Sequence, residues 1–167
     1  METALRFESS TKRFGLVAKQ RFPSEGNFNV TCTGFLNAKD GSAHGTFVLG
    51  KKYYLDGLTK VDVGARYHTE LGEVLYTVGG KKKMNITDNG LLSLDVKGRV
   101  TYGSKTKEPD YKASVELSQK VFNVTEGQDL EILLGYEAVN RRPYARLREN
   151  NWTFNTDFHA WTVMYDL

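Results

Sequence analysis

Leu92-Ser93-Leu94-Asp95-Val96-Lys97-Gly98-Arg99-Val100-Thr101-Tyr102 reads as two interleaved sequences, one apolar and one charged. Successive side chains of an extended chain point to opposite faces. Leu92, Leu94, Val96, Val100 and Tyr102 therefore share one face of a strand with Gly98, and Ser93, Asp95, Lys97, Arg99 and Thr101 share the other. A soluble barrel buries the apolar face and shows water the charged one. A membrane barrel shows lipid the apolar face and gathers the charges around a lumen.

The same parity recurs along the chain, on Phe14, Leu16 and Ala18, on Phe28, Val30 and Cys32, and on Val61, Val63, Ala65 and Tyr67. It continues through Val74, Tyr76 and Val78, then Tyr111, Ala113, Val115 and Leu117, then Leu130, Ile132, Leu134 and Tyr136, and ends on Trp161, Val163, Tyr165 and Leu167. Residues 43–54 and 143–150 alternate less cleanly. Turn signals fall at Ser9–Thr11, Pro23–Gly26, Asn37–Ser42, Leu55–Gly57, Thr69–Gly72, Asp88–Gly90, Gly103–Asp110, Asn123–Gln128 and Asn140–Arg142. Two weaker reversals are needed near Glu149–Asn151 and His159–Ala160. This predicts a single all-β domain over 1–167, an antiparallel up-and-down β-barrel of about 12 strands, either transmembrane with the apolar face on lipid or soluble with it inside. About 14 residues then fall to each strand and its turn, which suits a bilayer-crossing strand of ~9–11 residues. An even strand count puts both termini on one side of the membrane.

Composition agrees with this class. The 167 residues are 40% hydrophobic with a mean hydropathy of −0.48, and no run approaches the ~18 apolar residues of a spanning helix. Met1–Arg6 carries no basic-then-apolar secretory pattern, and the single Cys32 excludes an internal disulfide framework. The net charge of +3 says little as a bulk number.

Charge sorted by parity says more. Arg6, Arg13, Lys19, Arg21, Lys60, Arg66, Lys81, Lys83, Lys97, Arg99, Lys112, Lys120, Arg146 and Arg148 fall on the polar face. Asp62, Asp95, Glu116, Glu131, Glu137 and Asp166 oppose them, an excess of +8 on that face, so loops and rims are expected to be net acidic. Apart from Arg6, these bases are the candidate residues for a cationic lining, which would favour anions if that face is inside. Trp152, Phe154, Trp161 and Tyr165 suit either an interfacial girdle or an ordinary core.

Individual motifs add little chemistry. Gly79-Gly80-Lys81-Lys82-Lys83 lacks the frame of a phosphate-binding loop and reads as a strand with a glycine kink that puts Lys81 and Lys83 on one face. Arg146 and Arg148 lie about 7 Å apart on one face and can grip phosphate, or pair with Glu131 or Glu137. Arg13, Lys19 and Arg21 form a similar row. His44, His68, His159 and Cys32 lack metal-ligand spacing, and no nucleophile–base arrangement is visible, so neither a metal site nor an enzyme is expected. Four glycosylation sequons, at Asn29, Asn85, Asn123 and Asn151, read as coincidental. Asp88-Asn89-Gly90 reads as a tight turn with two positive-φ positions. The bases are not gathered beside exposed aromatics, so nucleic acid is not an expected partner.

Thr87–Leu91, Leu134–Ala138, Arg148–Asn155, the opening Met1–Arg6 and the ending Tyr165–Leu167 together resemble the small outer envelope pore proteins of chloroplasts, a family of rectifying anion channels. The resemblance implies a β-barrel in the plastid outer envelope, surrounded by membrane lipid, that passes phosphorylated anions such as triose phosphates, phosphoglycerate and phosphate. It also implies ATP as a regulatory ligand that obstructs the pore, and no resident cofactor. The alternatives are a soluble, calycin-like lipid-binding barrel and an envelope scaffold whose barrel is incidental.

Overall fold

The computed structural model describes residues 1–23, 27–125 and 128–167. Every regular element among them is a strand: β1 (Glu2–Glu8), β2 (Arg13–Pro23), β3 (Phe28–Asn37), β4 (Ala43–Tyr54), β5 (Thr59–His68), β6 (Glu73–Asn85), β7 (Leu92–Gly103), β8 (Pro109–Thr125), β9 (Gln128–Glu137), β10 (Arg142–Glu149), β11 (Trp152–Thr156) and β12 (Trp161–Asp166). Each pairs antiparallel with its sequence neighbour, and β1 closes on β12 through Ala4↔Asp166 to Glu8↔Thr162, giving a closed up-and-down barrel of twelve strands. Closure leaves no edge strand, the condition for a sheet to sit in hydrocarbon.

Burial decides which face is inside. Among the described residues only Ala4 and Leu133 are buried hydrophobics, whereas Asn37, Glu73, Ser93, Asp95, Glu116 and Ser118 are buried polar residues. Phe47, Leu49, Tyr76, Val78 and Leu134 stand at least half exposed. A soluble lipid-binding barrel needs the reverse. The predicted apolar parity faces out, and the charged parity lines the interior.

The predicted reversals fall at residues 9–12, 38–42, 55–58, 69–72, 86–91, 104–108, 138–141, 150–151 and 157–160. Those expected at Pro23–Gly26 and Asn123–Gln128 centre on 24–26 and 126–127, outside the described residues. The weakly signalled turn at 157–160 has a readable cause. Asp157 accepts from the amides of His159 (3.1 Å) and Ala160 (2.7 Å), and Thr156 Oγ1 accepts from Phe158 N (2.9 Å). The Asp88–Gly90 turn differs from its expectation. Only Gly90 has positive φ, at 68°, and its amide donates to Thr87 O (2.9 Å) inside a wider loop over 86–91. Asn89 Oδ1 accepts from Leu91 N and Thr87 Oγ1 from Leu92 N, so the polar side chains, not a two-residue hairpin, make the reversal. Strand length runs from 5 residues in β11 to 17 in β8, with a register shift between Val121 and Thr125.

The β4–β5 turn carries a pH-sensitive contact. Asp56 accepts from the amides of Leu58 (2.7 Å) and Thr59 (2.5 Å), and the Leu58 amide is the largest of the influences that hold its carboxyl below the ordinary Asp value. A depressed carboxyl pKa contributes stability above the unfolded-state pKa and loses it as pH falls through the folded value. The Leu58 and Thr59 amides are therefore expected to exchange hydrogen faster as pH drops below the usual Asp range, after correction for intrinsic exchange. Asp56→Asn should flatten that pH dependence; an unchanged profile in the variant would separate the turn from its carboxylate.

Candidate functional site

Strand register places all thirteen candidate lining residues on the inward face: Arg13, Lys19 and Arg21 on β2, Lys60 and Arg66 on β5, Lys81 and Lys83 on β6, Lys97 and Arg99 on β7, Lys112 and Lys120 on β8, and Arg146 and Arg148 on β10. They do not form one site. They spread around the wall and along its length.

The register also enlarges the charge count. Arg6, Lys52 and Arg142 bring the inward bases on described strands to sixteen, and Glu2, Glu8, Glu73, Asp110 and Asp129 bring the acids to eleven. The inward excess is +5 rather than the +8 read from parity. Residues at strand ends account for the difference, because parity was carried only through the clearest alternating stretches. Glu2 and Glu8 share parity with Arg6 and were legible.

Most inward acids hold a base. Lys81 Nζ lies 2.5 Å from Asp95 Oδ2, Lys97 pairs with Glu116, and Arg146 Nη2 lies 2.9 Å from Glu131 Oε1. Looser pairs join Arg99 to Asp62 (3.6 Å), Arg148 to Asp166 (3.7 Å), Arg21 to Glu2 (3.4 Å) and Lys112 to Asp110 (3.8 Å). Tyr144 Oη donates to the second oxygen of Glu116 at 2.7 Å. That contact needs Gly135 on the facing strand: a Cβ there would stand 2.2 Å from Tyr144 Cζ, so only glycine lets the ring lie flat on β9. Tyr144 is an inward residue that the less clean alternation of 143–150 did not reveal.

One region is richer in cation than the rest. Lys60 on β5 stands opposite Lys81 on β6, and Lys81 opposite Lys97 on β7. With Arg99 and Lys112 these lysines line a cavity of about 430 Å³, into which Asp62 brings the one carboxylate among its lining residues. Arg66 and Lys60 also border the adjoining space beside Lys52 and Asn29. Neither makes an ion pair among the described residues, and the Arg66 Nε is buried with no hydrogen-bond partner there. β6 passes through Gly79 and Gly80 with its pairing unbroken on both sides; Lys81 and Lys83 point in and Lys82 points out. At the mouth shared with the termini, Lys120 and Arg148 lie beside Phe122, Asp129 and Glu131. At the other mouth, Arg13 lies with Arg6, Glu8, Phe35, His44 and Glu70.

The outer wall is built for a bilayer. Tyr67, Tyr76, Tyr102, Tyr111 and Tyr136, on the consecutive strands β5 to β9, point outward near the rim away from the termini, 40% to 56% exposed. Phenols at that height form the aromatic girdle of a membrane barrel. The aromatics that suited either a girdle or a core face outward and divide between rims: Trp152 packs on Tyr165 at the terminal rim (4.7 Å), and Trp161 on Phe7 at the other (5.3 Å).

Comparison with known proteins places this architecture. The family described as chloroplast outer envelope pore protein OEP21 matches residues 3–167. Outer envelope pore protein 21 of Pisum sativum is 33% identical over 177 aligned residues, covering 100% of both chains. Outer envelope pore protein 21A of Arabidopsis thaliana is 29% identical, also over 100% of both. Among solved structures, the KdgM porin superposes with a TM-score of 0.58 over 99% of this chain and 96% of that one at 12% identity, and a second structure is titled as that porin in complex with disordered oligogalacturonate (TM-score 0.57). These relatives are pores rather than enzymes. A closed twelve-stranded wall, apolar outside and charged within, thus accompanies full-length similarity to envelope pores: the chain belongs to the chloroplast outer envelope pore protein OEP21 family and is a β-barrel channel of that membrane.

Proposed function

We propose that this channel selects anions, passes phosphorylated metabolites such as triose phosphates, 3-phosphoglycerate and phosphate, and is obstructed by ATP without any resident cofactor. The observation that supports this furthest is the row Lys60, Lys81 and Lys97 on three adjacent strands, with Arg99 and Lys112 beside it. A low-dielectric wall focuses the potential of such a cluster, raising anion concentration in the lumen and repelling cations. Lysine and arginine donors suit phosphate oxygens, and many shared, hydrated contacts let an anion leave as well as enter. A triphosphate can engage several of these bases at once, a physical route to block. A twelve-stranded lumen is wider than the filled interior of eight strands and narrower than a general porin, which suits small solutes. The KdgM complex with oligogalacturonate supports passage of small solutes through a barrel of this shape.

The mouths differ in charge, which supports rectification. The described turns at the terminal rim carry Asp56 and Asp88 and no base. The turns at the other rim carry Lys12, Lys39, Lys105, Lys107 and Arg141 against Asp40, Glu70, Glu108 and Asp157. An anion crossing from one mouth meets a different barrier than one crossing from the other.

The test is a zero-current potential across a planar bilayer with a potassium chloride gradient. Chloride is expected to be preferred at low salt. The preference should fade as ionic strength rises, because screening shortens from ~10 Å at 0.1 M to ~3 Å at 1 M. Equal permeability of potassium and chloride at low salt would refute the anion reading.

A further inference from the structure

Among the described strand residues, three charged side chains occupy the outer face: Lys51 on β4, Lys82 on β6 and Glu149 at the end of β10. The two lysines lie on the same side of the barrel, flanking β5, where Lys51 stands opposite Val63 and Lys82 opposite Thr59. Each stands three residues before the end of a strand that runs toward the terminal rim. Exposed Leu49 and Tyr53 flank Lys51 on its own strand, and exposed Met84 follows Lys82. These lysines therefore stand within apolar wall.

Lys51 has a platform. Its ammonium sits 4.5 Å from the Phe28 ring centroid and 5.3 Å from that of Tyr53. The rings hold the cation against the barrel by cation–π attraction while leaving its N–H donors free for an anion. Neither lysine makes an ion pair among the described residues. Asp56, whose carboxylate feels Lys82, already accepts from two backbone amides. A long basic stem in a lipid-facing wall carries its charge toward the headgroup layer. There the nearest abundant anion is a lipid phosphate or another acidic headgroup.

We propose that Lys51, seated on Phe28 and Tyr53, and Lys82 hold anionic lipid headgroups on the outside of the barrel at the terminal rim. The site is separate from the lumen and does not depend on ion selectivity. A second copy of the chain is the rival occupant. It is disfavoured because the single outward strand acid among the described residues, Glu149, is on β10, far around the wall from β4 and β6, so the lysine face is not self-complementary.

Native mass spectrometry of the full chain released from phosphatidylcholine vesicles containing a minority of phosphatidylglycerol tests this. The wild type is expected to retain phosphatidylglycerol in preference to phosphatidylcholine. Lys51→Gln with Lys82→Gln should reduce retention about fivefold per lysine, whereas Lys51→Arg with Lys82→Arg should keep it. Single-channel conductance should be unchanged in both variants, showing that the barrel is intact; if the glutamine pair does not fold, Lys51→Gln alone carries the comparison. Undiminished retention in the glutamine variant, or equal retention of both lipids by the wild type, overturns the site. So does displacement of the signal by inorganic phosphate at matched concentration, which would mark a simple anion site. A lipid-independent dimer that dissolves on removing the lysines overturns it in favour of the second copy.

Discussion

Replacing Lys60 and Arg66 together by glutamate is expected to bring the zero-current potential in a salt gradient close to zero and to weaken ATP block by at least tenfold. Both bases face inward on β5 without an ion-pair partner among the described residues, and Asp62, which shares their face, is held by Arg99 at 3.6 Å, so most of their charge reaches the lumen. Their reversal lowers the inward excess from +5 to +1. A charge-assisted hydrogen bond contributes about 1.5–3 kcal/mol where solvent is partly excluded, and loss of one such contact to a triphosphate already corresponds to tenfold. Arg146 and Arg148 make the instructive contrast. As a pair on one strand face they stand out in the sequence, but each lies beside an acid, Glu131 at 2.9 Å and Asp166 at 3.7 Å. Reversing them should change selectivity and block less than reversing Lys60 and Arg66. If the β5 pair leaves reversal potential and block untouched, the cationic cluster on β5–β8 is not the selectivity element.

Val78→Arg is expected to destabilise the barrel in vesicles by about 2–4 kcal/mol, read as a lower urea midpoint for loss of the heat-modifiable folded band. Val78 lies mid-strand on β6, 53% exposed, opposite Val63 and Val100, whose side chains also face out. An arginine in the lipid-facing midplane of a membrane barrel costs an amount of that order, and the cost falls toward the interfaces. Thr77→Arg, one residue away on the lumen side, should cost less because water can reach the new charge. The same barrel surrounded by water rather than lipid, with its apolar parity still outward, would lose this order, since an arginine at Val78 would then be hydrated. Equal midpoints for the two variants would remove the lipid-facing assignment of this wall.

Strand number, wall parity and the inward placement of the thirteen candidate bases were all legible in the chain because period-2 alternation is local: each residue's face follows from its neighbours' spacing alone. The turn at 157–160 was faint because its signal lies in the side chains of Thr156 and Asp157 rather than in Gly or Pro. The tyrosine girdle was hidden differently. Its members are far apart in sequence, and only the stagger of β5 to β9 brings Tyr67, Tyr76, Tyr102, Tyr111 and Tyr136 to one height.

By itself, then, the sequence determined an amphipathic sheet of about twelve strands with a basic polar face, because backbone geometry converts spacing directly into sidedness. Alternation is blind to which face turns inward; closure of β1 on β12 decided that, by leaving large apolar side chains exposed and burying Asp95 and Glu116. Pairing of charges was also a tertiary decision. Lys81 finds Asp95 and Lys97 finds Glu116 only through the register of adjacent strands, and that register leaves Lys60 and Arg66 without an ion pair among the described residues. Register is a relation between strands distant in sequence, set by turns and side-chain packing together, so no single stretch of sequence contains it.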